Sequence, residues 1–209
     1  MLRGNTYNGY AATLIDPPWA EHGGGGRGAQ NHYKLLSPYE IRETVWDSPF
    51  RPANNAHLWL WVTDNFLLDG LWLLNQLGFT FKRTIQWVKI KGTPAKLDFD
   101  TGLAVVPRNG VLEPEYGIGQ YARGAHETLL LGVRGKGMDP SVFNMARRNI
   151  PSVILAPVPR NEMNRRIHSK KTPASFELIE GRSHGPYLEL FAREQRPGWD
   201  SWGDQLEAA

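Results

Sequence analysis

Asp16, Pro17, Pro18 and Trp19 follow directly on the short apolar run of residues 11–15. A carboxylate, two prolines and an indole in that order suit the gripping of a planar heterocycle by an exocyclic amino group. Such a group carries two N–H donors and a lone pair delocalised into its ring. Chemistry at its nitrogen therefore needs acceptors for the donors and a nitrogen aimed at an electrophile. Asp16 and a proline carbonyl are candidate acceptors, because proline lacks an N–H and has a fixed φ, so its carbonyl is held towards a ligand with little freedom to lose. Trp19 is a candidate plate for stacking. The competing reading is a rigid turn whose tryptophan is buried in an apolar seam.

Other residues carry chemistry at a distance in sequence. Glu189 lies inside the apolar run Tyr187, Leu188, Leu190, Phe191, where an unpaired carboxylate is costly, so a ligand or partner is expected there. Lys170 and Lys171 are adjacent, and the residues alone do not choose between them. His126 and Glu127 flank an apolar run, but no third ligand stands at a suitable spacing, and no metal is expected. Arg147, Arg148, Arg160, Arg165, Arg166, His168, Lys170 and Lys171 crowd one stretch, which reads equally as a solvated face or a phosphate-contacting surface.

These residues must be positioned by a scaffold, and the pattern predicts one of alternating strands and helices. Apolar and β-branched runs predict strands at 11–15, 57–62, 79–90, 127–133, 153–156 and 187–191. Ser37, Pro38 and Glu40 give an N-cap, a first-turn proline and a capping-box acid for a helix over 38–45. Phe66, Leu67, Leu71, Leu74 and Leu77 give an apolar stripe ended by Gly78, and residues 173–180 a further helix. The alternation implies an open α/β sheet with helices on both faces, ligands gathering at the carboxyl edge. Asp16 stands at such an edge. Long irregular stretches are expected at about 20–36, 91–124 and 135–151, all within one domain spanning 1–209.

Several blocks together resemble the MT-A70 family of adenine amino-methyltransferases. They are Asp16 to Trp19, Tyr33, Leu58 to Thr63, Gln86 to Lys89, Gly124 to Gly132, His168 to Pro173, Tyr187 to Arg193 and Gly198 to Gln205. The resemblance implies a Rossmann-like S-adenosylmethionine-dependent domain with permuted motifs, the catalytic block N-terminal and the cofactor strand C-terminal. By that resemblance Asp16, Pro17, Pro18 and Trp19 are catalytic. Tyr33, Trp19, Lys89, Tyr121, His126 and Glu127 take the target base. Asp16, Lys171, Glu189, Phe191, Arg193, Asp204 and Gln205 hold the cofactor, with Lys171 on the methionine carboxylate. Two departures stand out: Thr172 is inserted before Pro173, and Asp204 replaces the usual asparagine.

The implied activity is methyl transfer from S-adenosylmethionine to the N6 amino group of adenine, leaving S-adenosylhomocysteine. The compact chain resembles the bacterial and phage members, which puts DNA first as the expected substrate; RNA, and a catalytically silent nucleic-acid-binding subunit, are the alternatives. A base in a duplex would have to flip out. The 209 residues include no cysteine, which excludes disulfides and thiolate zinc sites and points to a reducing cytoplasm. No apolar run is long enough for a bilayer, so no membrane partner is expected. The net charge of +3 tolerates a polyanion without naming one, and the oligomeric state is not readable.

Overall fold

The computed structural model describes residues 9–20, 35–92, 96–97, 104–105, 113–117, 121–146, 150–167 and 169–206. The chain runs through β1 (Tyr10–Ile15), α1 (Pro38–Asp47), β2 (Pro52–Val62), α2 (Leu67–Gln76), β3 (Thr80–Lys89), β4 (Lys96–Leu97), β5 (Ala104–Val105), β6 (His126–Arg134), β7 (Val153–Ala156), α3 (Pro173–Arg182), β8 (Tyr187–Leu190) and β9 (Trp199–Trp202). β4 and β5 pair with each other, and the other strands form one sheet in the order β7-β3-β6-β2-β1-β8-β9. All of these run the same way except β6, which is antiparallel to β2 and β3. The result is a Rossmann-like α/β sheet.

Strand parity divides the core between the two faces. Leu58, Leu60 and Val62 of β2 join Ile15, Leu188 and Leu190 under α1 and α2, which contribute Ile41, Val45, Leu73 and Leu74. Trp59 and Trp61 point the other way, with Leu14, Ile85, Trp87 and Leu129, against Phe176, Leu178 and Ile179 of α3. Local signals set the helix ends. Ser37 accepts from the Glu40 N–H while the Glu40 carboxylate accepts from the Ser37 N–H, closing the expected capping box before α1. Gly78, with φ of 82°, turns the chain after α2.

Three features depart from the sequence pattern. β2 begins at Pro52, because β1 and the end of β6 extend its pairing beyond the apolar stretch at 57–62. β9 is an additional strand after Tyr187–Leu190; its Asp200 and Ser201 hide it from propensity, while pairing with β8 creates it. Part of the 91–124 stretch is ordered against β3: the Lys91 N–H donates to the Glu113 carbonyl and the Glu115 N–H to the Lys89 carbonyl.

β1 is the pivot of the topology. The chain leaves β1 for β2 on one side and leaves β8 for β9 on the other, so the crossovers diverge at the β1/β8 boundary. The carboxyl ends of strands at such a boundary leave a crevice between diverging connections, which is where open α/β sheets take their ligands.

Candidate active site

Asp16 occupies the first position beyond β1, at this boundary. Pro17 and Pro18 stop the ladder because neither can donate to it. The turn is then held shut: the Trp19 N–H donates to the Pro17 carbonyl at 2.9 Å, and the Leu36 N–H to the Pro18 carbonyl at 2.8 Å. Each carbonyl retains one lone pair for a ligand.

Lys171 reaches Asp16 from the start of α3, with Nζ 2.8 Å from Oδ1. The inserted Thr172 leaves this reach intact because it serves as the N-cap of α3, its side chain accepting from the Ala174 N–H ahead of Pro173. Lys171 Nζ lies 3.3 Å from Glu127, and Glu127 is 2.7 Å from Lys89 Nζ. Four alternating charges thus form a row along one sheet edge. Glu127 belongs to it because β6 runs backwards, which brings its first residues level with the last of β3, Glu127 opposite Trp87. The tryptophans form a floor: Lys171 Nζ stands 5.5 Å from the Trp61 ring centre and Lys89 Nζ 5.4 Å from that of Trp87.

Burial and charge compete along the row. Burial pushes the Asp16 carboxyl above its ordinary value, against the pull of Lys171. Burial also opposes ionisation of Glu127, but Lys171 and Lys89 together outweigh it and hold that carboxyl low. Desolvation disfavours the Lys171 ammonium, yet Asp16 and Glu127 outweigh it and keep the lysine charged.

A second group of polar atoms lies across the boundary on β8 and β9. Glu189 Oε2 is buried without a hydrogen-bond partner, as are Ser201 Oγ, opposite Glu189 in register, and Arg196 Nε. Burial pushes the Glu189 carboxyl up to about 7, Arg196 resisting and Asp16 adding to the rise. Buried polar atoms left unsatisfied are uncommon and call for a partner. A ligand with vicinal hydroxyls would satisfy Glu189 and Ser201, so the residues present fit the ribose of S-adenosylmethionine.

The other residues singled out by sequence fall as follows. Trp19 is only 5 % exposed; its Nε1 donates to the Trp61 carbonyl at 3.0 Å and its ring stacks on Phe66 at 5.2 Å. The fold thus places that indole in the core. His126 points to the opposite face from Glu127 and stands 3.6 Å from Asp64. Tyr121 is fully exposed. Phe191 follows β8 with φ of 60°, an uncommon conformation for a bulky residue, and meets Trp202 edge-on. Arg193 donates to the Ser169 carbonyl at 2.6 Å, tying the β8 end to the loop that carries Lys171. Asp204 and Gln205 are exposed in the turn beyond β9. Tyr33, His168, Arg147 and Arg148 and residues 21–34 of the irregular stretch expected at about 20–36 lie outside the described residues.

Arg196, Ser201 and Trp61 were not singled out individually. Only the β8–β9 register reveals Ser201, whereas Trp61 was within reach as an aromatic ending a buried strand. Among the described residues no group of His, Asp or Glu is arranged to hold a metal ion, and no helix is long and apolar enough to cross a membrane.

The sheet, its switch point and the two polar groups define a Rossmann-like ligand site. The MT-A70 family profile matches residues 10–205, and the chain belongs to that family. It is 30% identical over 207 residues to the N(6)-adenine-specific methyltransferase METTL4 of Mus musculus, covering 94% of this chain and 37% of that protein. Against the Homo sapiens protein of the same name it is 28% identical over 204 residues, covering 92% of this chain and 36% of the relative. The chain thus spans little more than a third of the length of these relatives.

Proposed function

We propose that this chain transfers a methyl group from S-adenosylmethionine to the N6 amino group of adenine in a nucleic acid, DNA ahead of RNA. The observation that carries the reading is the pairing of two unlike polar groups across the β1/β8 boundary: a charged row centred on Asp16 and Lys171, and the unsatisfied Glu189 and Ser201. The family and its METTL4 relatives support it.

Bound S-adenosylmethionine supplies an electrophilic methyl group. Glu189 and Ser201 would accept and position its hydroxyls, and Phe191 would give its purine an aromatic wall. Asp16 accepts an N–H of the target amino group, with a free lone pair of the Pro17 or Pro18 carbonyl taking the other. Positive charge grows on the amino nitrogen as its lone pair takes the methyl carbon, the electrons of the S–CH3 bond leaving with S-adenosylhomocysteine; the Asp16 carboxylate stabilises that charge where it develops, and the nitrogen then loses an N–H proton to solvent. Lys171 fixes the Asp16 rotamer and favours its ionised form.

Incubation with labelled S-adenosylmethionine and matched DNA and RNA, digestion to nucleosides and identification of the labelled product test the reading. N6-methyldeoxyadenosine is the expected product. N6-methyladenosine alone would reassign the substrate to RNA, and cofactor binding without any transfer would make the chain a silent binding subunit. No cofactor binding at millimolar concentration would overturn the methyltransferase reading altogether.

A further inference from the structure

The turn leading from β7 to Lys171 is not used by the chemistry above. It is a tight, basic hairpin: Arg160 and Arg166 form a bridge across it, the Asn161 N–H donates to the Arg165 carbonyl and the Ile167 N–H to the Pro159 carbonyl. Asn164, with φ of 58°, makes the reversal at its tip. Arg160, Arg165 and Arg166 outnumber Glu162, the turn's one acid.

The guanidiniums of Arg160 and Arg166 are fixed by one buried carboxylate. Glu115, with a side chain only 6% exposed, accepts from Arg160 Nη2 and from Arg166 Nη2, each at 2.5 Å. Arg166 Nε adds a bond of 2.8 Å to the same oxygen, and Arg160 Nη1 donates to the Asn164 carbonyl. Two cations on one anion leave a net positive charge. The arginine side chains remain 37% and 46% exposed, so N–H edges that Glu115 does not use face solvent. A burial cost borne by Glu115 and a rigid array of outward donors are the reverse of a flexible solvated face. They match the planar, bidentate recognition of phosphate oxygens.

Position supports the same ligand. A cavity of about 590 Å³ opens beside the turn, lined by Lys91, Gly92, Glu115, Pro157, Arg160 and Asn164. The turn continues from β7, which pairs with β3, and the Lys89 side chain at the end of β3 closes the charged row at Glu127, so the array flanks that row on the β3/β7 side. Glu189 and Ser201 lie on the β8/β9 side. A strand entering from the arginines would present a base to Asp16 without crossing the cofactor.

We propose that Arg160 and Arg166, set by Glu115, clamp backbone phosphates of the substrate strand; this deepens the nucleic-acid reading above and rests on it. The test is binding of a labelled oligothymidylate, which has phosphates but no adenine, followed by anisotropy over a salt series. With Arg160→Gln and Arg166→Gln combined, the loss of two phosphate contacts should make the slope of log K against log salt shallower by about 1.4, and weaken binding on the order of 25-fold near 0.1 M salt. Cofactor affinity should not change. Because that variant strands a buried carboxylate, a triple variant adding Glu115→Gln removes the stranded charge and should show the same loss. Wild-type affinity in the triple variant, an unchanged salt slope in the double variant, or no binding of oligothymidylate by the wild type would each overturn the clamp. Salt-dependent binding by the wild type, with no methyl transfer to adenine, would instead overturn the proposed activity and leave the clamp standing.

Discussion

Glu189 and Asp16, the acids at the ends of adjacent parallel strands, share one electrostatic field: burial pushes Glu189 up to about 7, and the Asp16 charge adds to the shift. Asp16 has Lys171 at 2.8 Å in answer to its charge, whereas Oε2 of Glu189 has no donor. Burial thus pushes both carboxyls up, but only Asp16 has a cation beside it to oppose the rise directly.

This asymmetry sets a pH dependence. An unfolded glutamate titrates near 4.5 and the folded Glu189 near 7, so between those values the native state keeps a proton that the unfolded chain has released. Stability of the ligand-free protein should fall as pH rises through that window and level off above it, by at most about 3 kcal/mol. Glu189→Gln should remove that slope and be the more stable protein at pH 8. Urea unfolding of both proteins from pH 4 to 8 checks this, and a slope surviving in the variant would assign it to another group. Ribose hydroxyls donating to Glu189 favour its ionised form, so cofactor binding near pH 7 should release a proton. Calorimetry in two buffers of different ionisation enthalpy measures that release.

At Asp16, charge separates from geometry. Asp16→Ala removes every side-chain acceptor and should lower methyl transfer by two to three orders of magnitude, as about 3 to 4 kcal/mol of lost positioning implies. Asp16→Asn keeps one acceptor oxygen and should retain measurable turnover at saturating cofactor. Equal inactivity of the two folded variants would sink the positioning account and make the negative charge itself essential.

The charged row should behave as a unit. Lys171→Met leaves Asp16 and Glu127 facing each other without their shared cation, a loss expected to cost about 3 to 5 kcal/mol. Adding Glu127→Gln should restore part of it, since one of the stranded charges is then gone. A double-mutant cycle by denaturant titration gives the coupling, and strict additivity would show that the two side chains do not act on each other.

Trp19 should act as a core residue. Trp19→Ala is expected to cost about 3 to 5 kcal/mol in denaturant unfolding, while oligonucleotide affinity per folded molecule holds steady. A fully stable variant that has lost only its affinity for nucleic acid would place the indole on the target base instead.

The sequence made Glu189 conspicuous because an acid inside an apolar run has an obvious cost, and it made Asp16 conspicuous because two prolines end a strand beside it. It did not show which way Trp19 faces: a turn closed on itself by the Pro17 and Pro18 carbonyls can send the next side chain inward or outward, and the partner that draws it in, the Trp61 carbonyl, is 42 residues away. Ser201 was equally hidden, since its importance depends on the residue opposite it in a neighbouring strand. Thr172 stood out only as an insertion before Pro173, because its capping role depends on where α3 begins. Glu115 offered no local signal at all; its meaning comes from two arginines 45 and 51 residues further on.

The position of β1 between β2 and β8 has a consequence for the birth of the protein. Leu14 pairs with Glu189, and the Tyr10 hydroxyl donates to Asp200 across 190 positions of chain. On the ribosome, β1 and Asp16 emerge before the strands on either side of them, with one hydrogen-bonding edge soon covered by β2 and the other bare until β8 follows. Pairings this distant are slow to form, and an open strand edge invites pairing with the wrong chain. The nascent molecule therefore carries Asp16 without the strands that complete the site until β8 and β9 have been made, and only then is it competent to bind a ligand there.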